Sequence, residues 1–304
     1  MLGDDIMEQK EGFKSGFVTV IGQPNVGKST LINKLIGEKI SITSRKAQTT
    51  RNRIKCIFTN DEAQIIFVDT PGIHNPRDKM GEYLNKAAYN SLKGINLILF
   101  MVDINYPPNS EDKMAFGSIS GVDIPKILVL NKIDQVNHQT IKKRISQYQQ
   151  LADFDDFFAI SARQEKNLTE LVDKMIDLLP EGPMYYPKDM ITDQIEQFVI
   201  TEMIREKIIH FTHEEVPYST AVEIVSFNQK DELIEISANI YVERASQKGI
   251  LIGKNGQMIK RIGSAARKEI EKFLEEKIFL DLWVKVKEKW RKKEDSIKML
   301  GYEV

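Results

Sequence analysis

From residue 17 to residue 179, short apolar runs alternate with stretches of helical spacing. Runs near 17–22, 54–59, 64–69, 96–103, 125–131 and 155–160 have the length and β-branched character of buried strands. Between them, apolar residues recur every three to four positions near 28–36, 80–92, 110–120, 139–151 and 166–179. This alternation predicts a mostly parallel sheet with helices on both faces. The polar connection Thr59-Asn60-Asp61-Glu62-Ala63 predicts a hairpin, and so one antiparallel edge strand. Residues 38–52 are polar and lack a clear period, which suits a mobile switch loop.

Pro180-Glu181-Gly182-Pro183 and then Pro187 interrupt both patterns. They predict a linker at 183–190 between a domain at 1–182 and a second at 191–304. Beyond the linker the order changes. Residues 191–211 read as an amphipathic helix, and 220–227 and 233–242 as strands joined by the polar turn Asn228-Gln229-Lys230-Asp231. A short helix leads into Gly253-Lys254-Asn255-Gly256, and a longer helix follows over about 257–276. Ile278, Leu280, Leu282, Val284 and Val286 alternate with more polar neighbours and give a third strand. The expected second domain is a smaller α+β unit in α-β-β-α-α-β order.

Composition narrows the class. Of 304 residues, 41% are hydrophobic and 29% charged, the balance of an ordinary soluble protein. Cys56 is the sole cysteine, which excludes an intramolecular disulfide or a cysteine metal site and fits a reducing compartment. Asp4, Asp5 and Glu8 precede no apolar segment of the kind a secretory signal needs, and the longest apolar stretch, 95–102, is too short to span a bilayer. A cytoplasmic location is expected. The net charge of −1 hides an asymmetry, because residues 244–304 hold sixteen Lys and Arg against nine Asp and Glu. A basic tail suggests a polyanionic partner, although a solvated Lys/Glu helix face would read the same way.

Residues 22–29, Gly22-Gln23-Pro24-Asn25-Val26-Gly27-Lys28-Ser29, match the phosphate-loop pattern between an apolar strand and the helical run that holds Ser29, Thr30 and Leu31. Backbone N–H groups of such a loop wrap phosphates, Lys28 reaches their oxygens, and the Ser29 hydroxyl suits Mg²⁺. Asn131-Lys132-Ile133-Asp134 ends another apolar run, at the carboxyl edge where open α/β sheets bind ligands. Asp134 can accept from N1–H and the 2-amino group of guanine, which adenine cannot offer. Asn131 can brace the loop and the Lys132 stem can cover a base face. Asp69-Thr70-Pro71-Gly72 ends a third apolar run, with Asp69 placed to hold Mg²⁺ through water and Gly72 N–H to meet a γ-phosphate. Ser161-Ala162 can supply a contact to the guanine O6.

Taken together these motifs resemble the translation-factor-related GTPases, and among them the Era family. The segment from Gly22 to Asn33, the stretch Ala47-Gln48-Thr49-Thr50-Arg51, and Asp69-Thr70-Pro71-Gly72-Ile73-His74 all look like that family, and the resemblance runs the whole length. It implies GTP hydrolysis with Mg²⁺, with Lys28, Thr50 and Gly72 as catalytic residues and Thr50 joining Ser29 and Asp69 at the metal. The tandem Thr49-Thr50 leaves the switch threonine open by one residue. Ile73 stands where Ras-like enzymes carry a water-orienting Gln, so the water must be placed otherwise. Relatives use a monovalent cation held partly by the loop Asn. Asn25 occupies that position, with a bracing role as the alternative.

The Gly253–Gly256 tetrapeptide, lying between two apolar helical turns, resembles the clamp loop of a type II KH domain, which grips single-stranded RNA. Lys254, Asn255, Lys260 and Arg261, with tail residues Lys292 and Lys293, are candidate RNA contacts. Ile250, Ile252 and Ile259 can line a groove for bases, with core packing the competing role. The family resemblance further implies the 3′ end of small-subunit rRNA as ligand, action in small-subunit assembly, a loose peripheral membrane association and a monomer. Two rival readings are a GTP-dependent signalling switch with a protein or membrane partner on the tail, and a phosphate-loop kinase. The KH order disfavours the first, and the guanine motif the second.

Overall fold

A computed structural model describes residues 12–43, 49–52, 54–73, 76, 78–151 and 153–302. Ala47, Gln48 and His74, and the N-terminal acids, lie outside them. The chain forms two compact units. The first comprises Met1–Ser41, Asn52–His74 and Asn85–Asp193, and the second Ile42–Arg51, Asn75–Leu84 and Gln194–Val304.

The first unit holds β1 (Lys14–Ile21), α1 (Lys28–Ile36), β2 (Ile54–Thr59) and β3 (Ala63–Asp69). After α2 (Lys79–Asn90), whose first turns belong to the second unit, come β4 (Leu97–Asp103), α3 (Ser110–Gly117) and β5 (Lys126–Asn131). α4 (His138–Gln149), β6 (Asp156–Ile160) and α5 (Leu168–Leu178) complete it. The sheet runs β2-β3-β1-β4-β5-β6, and only the β2–β3 pair is antiparallel. The hairpin closes as expected, with Asn60 Oδ1 accepting from the Glu62 and Ala63 N–H groups. β3 is buried along its whole length, which is why it reads as an unbroken apolar run rather than an alternating one. Strand order reverses about β1, so the loop after β1 opens at the switch point where α/β sheets bind ligands.

The expected linker is pinned along this unit. Ser15 N–H donates to Pro180 O, and Ile57 N–H to Ile191 O at 2.9 Å. Gln64 uses both ends of its side chain: Oε1 accepts from Tyr185 and Tyr186 N–H, and Nε2 donates to Tyr186 O and the Thr59 hydroxyl. Because 191–192 pair with β2, the next helix begins at Glu196 rather than 191.

The second unit contains α6 (Glu196–Phe211), α7 (Val216–Ser219), β7 (Ala221–Gln229), β8 (Ile234–Val242) and α8 (Ala245–Ile252). α9 (Gln257–Leu274), β9 (Ile278–Val286) and α10 (Glu294–Met299) follow. The sheet order is β7-β8-β9, antiparallel and then parallel. Ile234, Ile236, Ala238, Ile240 and Val242 alternate inward along β8 against Ile200, Ile204, Ile262 and Ile270 of the helices. A separate apolar cluster joins Met80 and Leu84 to Ala221, Trp290, Ile297, Leu300 and Tyr302. α6 departs from a simple amphipathic helix. Glu202, Arg205 and Glu206 on its polar side are themselves buried. Glu206 accepts from Thr43 N–H at 3.1 Å, and Arg205 donates to Thr49 O, so residues of the expected loop cover that side.

Gln64→Leu removes four hydrogen bonds and strands two backbone donors. We expect a loss of about 2 kcal/mol in urea unfolding, with faster proteolysis near Tyr185. A stability within experimental error of the parent would show that the strap is held by its other contacts alone.

Candidate functional site

Three motifs meet at the carboxyl ends of β1, β3 and β5 in the first unit. The phosphate loop turns at Asn25, whose φ is 66°, and enters α1 through Gly27 at φ 111°. A Cβ on Gly27 would lie 2.3 Å from Asn131 Nδ2, so only glycine lets the loop approach that side chain. Asn131 Nδ2 donates to Val26 O at 2.8 Å while its Oδ1 accepts from Ala162 N–H at 2.9 Å. One carboxamide thus binds the phosphate loop to the Ser161-Ala162 segment, the bracing role expected of it. Lys132 adds a second tie, donating to Asn25 O at 2.9 Å and pairing with Asp103 at 2.5 Å.

Lys28 is buried and donates to Gly22 O and Gln23 O at 3.2 and 2.9 Å. Burial pushes its pKa down to about 8, with the charge of Asp69 opposing the shift. A phosphate oxygen beside this ammonium would supply the counter-charge that burial denies it. Ser29 Oγ donates to Asp69 Oδ2 at 2.8 Å. Asp69 is fully buried, and desolvation raises its pKa while Ser29 and Lys28 oppose the rise. Hydroxyl and carboxylate oxygens at this separation fit a hard cation. Mg²⁺ takes few protein ligands and keeps its waters, and no larger metal-ligating cluster occurs among the described residues. Ser29 and Asp69 would hold it, and it would neutralise charge on the phosphates. Thr50 is buried in the Ile42–Arg51 stretch of the second unit.

Other candidates divide between ligand-facing and structural positions. Asp134 accepts from the Ser161 hydroxyl at 2.6 Å, which orients one carboxylate oxygen and leaves acceptor capacity for a base. The Thr70 hydroxyl is buried and donates to Val20 O, tying the third motif to β1. A Cβ on Gly72 would meet Pro24 N at 2.7 Å, so its backbone lies close against the phosphate loop. Ile73 is buried among Ile21, Phe100 and Val102, and its side chain cannot orient a water at the nucleotide. Asn25 is exposed, and Pro24, Thr30 and Ile133 are partly buried.

In the second unit, Gly253, Asn255 and Gly256 take φ of 72°, 51° and 75° between α8 and α9. Lys254 and Asn255 project from that turn into solvent, as do Lys260, Arg261, Lys292 and Lys293. Arg261 stacks over Phe211 at 4.3 Å. Ile250 is 48% exposed, whereas Ile252 and Ile259 pack against the core. Of the three, Ile250 is the one fully at the surface.

Residues 17–132 match the family model described as 50S ribosome-binding GTPase, and residues 215–291 match the KH domain model. GTPase Era of Halothermothrix orenii is 52% identical over 291 residues, 95% of this chain and 99% of that protein. The chain belongs to the Era family of GTPases. GTPase Era of Staphylococcus epidermidis is 49% identical over 290 residues, covering 95% of this chain and 97% of its own. A crystal structure of Era in complex with MgGDPNP and nucleotides 1506–1542 of 16S ribosomal RNA superposes with a TM-score of 0.94 at 39% identity. It covers 96% of this chain and 100% of that one. Aquifex aeolicus Era Y63A bound to GDP.AlF4⁻ gives 0.93 at 39%, with the same coverage.

Sequence reasoning missed two supports of this Era-family site. Asp103, the ion-pair partner of Lys132, ends β4 just as Asp69 ends β3 and Asn131 ends β5. An acid at the carboxyl end of an apolar run was the signal available for it. Gln23 Nε2 reaches Asn109 Oδ1 at 2.9 Å, a contact no motif encodes.

Lys28→Met should separate binding from stability. The stem stays packed and a costly buried charge is removed, so the unfolding midpoint should hold while GTP affinity falls about ten- to a hundredfold. Normal GTP affinity would remove Lys28 from the phosphate site. Asp134→Asn should weaken guanine nucleotides and favour xanthine, whose 2-oxo group accepts from the new amide. Competition binding that keeps guanine ahead of xanthine would show that Asp134 does not read the base.

Proposed function

We propose that this Era-family GTPase binds GTP and GDP with Mg²⁺ and grips the single-stranded 3′ end of small-subunit rRNA during small-subunit assembly. The observation that carries the RNA half is the Gly253–Gly256 turn. Three positive φ angles bend it sharply, and Lys254 and Asn255 stand at its exposed apex ahead of the α9 N-terminus. Such a turn lets backbone and charge approach phosphates closely. The relative that carries 16S nucleotides covers 96% of the chain. The family model whose description names the 50S particle matches residues 17–132 alone, so it speaks to the GTPase fold rather than to the RNA.

On this reading Lys28 and the loop N–H groups bind the phosphates, Ser29, Thr50 and Asp69 serve the metal, and Gly72 N–H meets the γ-phosphate. Water placement cannot come from Ile73, and exposed Asn25 offers its carboxamide to a monovalent cation such as K⁺. The protein works as a cytoplasmic monomer. A loose peripheral membrane contact is what the family resemblance implies; among the described residues no helix is long and apolar enough to cross a membrane.

Lys254→Asp with Asn255→Asp should keep the fold, since both glycines stay. RNA affinity should nonetheless fall about tenfold or more, because two carboxylates would face phosphates. Wild-type affinity should decline with salt at a slope of roughly −0.7 per phosphate neutralised. Crosslinked RNA should map to the 3′ end of small-subunit rRNA. A folded double variant with unchanged RNA affinity, or crosslinks confined to large-subunit rRNA, would overturn the assignment.

A further inference from the structure

Asp103 ends β4 and pairs in register with Asn131, so it stands beside the guanine motif that ends β5. Its two carboxylate oxygens have separate partners. Oδ2 takes the Lys132 ammonium at 2.5 Å, and Oδ1 accepts from the Asn105 N–H and Nδ2 at 3.0 and 2.7 Å. The Asn105 amide is shared in turn, because Nδ2 also donates to Gln135 Oε1 at 3.0 Å. Arg144 of α4 anchors this turn, donating to Ile104 O and Asn105 O at 3.2 and 3.3 Å.

Asp134 lies between the two residues gripped in this way. Lys132 has a φ of 72°, a left-handed backbone that a residue with a Cβ keeps only where its surroundings hold it. Ile133–Gln135 then form one turn of 3-10 helix, with the Gln135 N–H on Lys132 O at 3.0 Å. A single such turn has few hydrogen bonds of its own, and their geometry is poor. Its shape therefore depends on what holds its ends. Asp103 holds the first end through Lys132, and Asn105 holds the last through Gln135. The Ser161 hydroxyl orients one carboxylate oxygen of Asp134 but does not fix the backbone that carries it.

We propose that Asp103 and Asn105 are positioning residues for base selection, setting the Asp134 carboxylate where it meets both N1–H and the 2-amino group of guanine. This rests on reading Asp134 as the group that accepts from the base. Neither Asp103 nor Asn105 touches the base itself. Two hydrogen bonds to one planar edge demand tighter placement than one does, and a carboxylate displaced by about 1 Å keeps one of them at best. Loss of either support thus removes the advantage of guanine over a base that offers a single donor. Hypoxanthine is such a base, with N1–H and no 2-amino group.

Competition binding with GTP and ITP reads this directly, because phosphates, ribose and Mg²⁺ are common to both and cancel in the ratio. The parent should prefer GTP. Asp103→Asn keeps the side-chain shape and removes the ion pair with Lys132, and Asn105→Ala removes the amide that joins Asp103 to Gln135. Each should narrow the GTP-to-ITP ratio about tenfold, with the loss on the GTP side and in KM rather than in kcat. A purely structural role would lower both affinities together and leave the ratio alone. Should these variants fail to fold, Gln135→Ala cuts the far end of the network at an exposed position. It should narrow the ratio about threefold. A parent that prefers GTP, with that ratio unchanged in the folded variants, would overturn the proposal alone. A parent that binds ITP as tightly as GTP would overturn the reading of Asp134 itself, and the proposal with it.

Discussion

The carboxamide of Asn131 holds the nucleotide site together. The three motifs follow different strands, and nothing in strand pairing fixes the conformation of the loops beyond them. Asn131 supplies what the sheet does not, donating to Val26 O and accepting from Ala162 N–H within one side chain. Both ends are satisfied and buried, so the bridge is rigid and costly to break. The missing side chain of Gly27 follows from it, since any Cβ there would meet the amide nitrogen. The phosphate loop is thereby tied to the Ser161-Ala162 segment through one side chain.

Most of this site was legible because its parts are local. A glycine-rich turn between a strand and a helix, and acids or amides ending apolar runs, are each encoded within a few residues. The mostly parallel sheet followed from the same runs, including the antiparallel edge at Asn60, whereas the strand order did not. What local reading could not separate was ligand-facing from structural members of one motif. Thr70 and Ile73 stand beside Asp69 and Gly72 in sequence, yet one hydroxyl is spent on Val20 O and the other side chain fills the core. The alternation of the loop backbone decides that, and it has no fixed period to read.

The larger gap concerns polar residues that the fold buries. Glu202, Arg205 and Glu206 gave α6 the look of a helix with one solvated face, and the polar run 38–52 looked like a free loop. Within the second unit, Thr43 and Thr49 of that run meet Glu206 and Arg205. A periodicity argument treats charge as a sign of solvent, and it fails wherever two polar segments satisfy one another. The tail hid its anchor in the same way. Its lysines suggested a polyanionic partner, and charge alone did not show that Trp290, Ile297, Leu300 and Tyr302 are buried between them while Lys292 and Lys293 stay exposed.

The two ligand loops apply one physical solution at different settings. Both use glycines and positive φ to turn the backbone sharply, which suits a close approach to phosphate. In the phosphate loop, the lysine is buried and the loop is braced by Asn131 and the Lys132–Asp103 pair, so a phosphate beside that lysine would meet a largely desolvated charge. In the Gly253–Gly256 turn, Lys254 and Asn255 are exposed to water. Charge in the first setting is worth several times what it is in the second, because water screens the exposed lysine and not the buried one. The nucleotide is therefore held by depth, whereas a polymer must be held by repetition, one weak phosphate contact added to the next along the surface. On that difference, RNA grip should depend on salt and on contact number more steeply than nucleotide binding does.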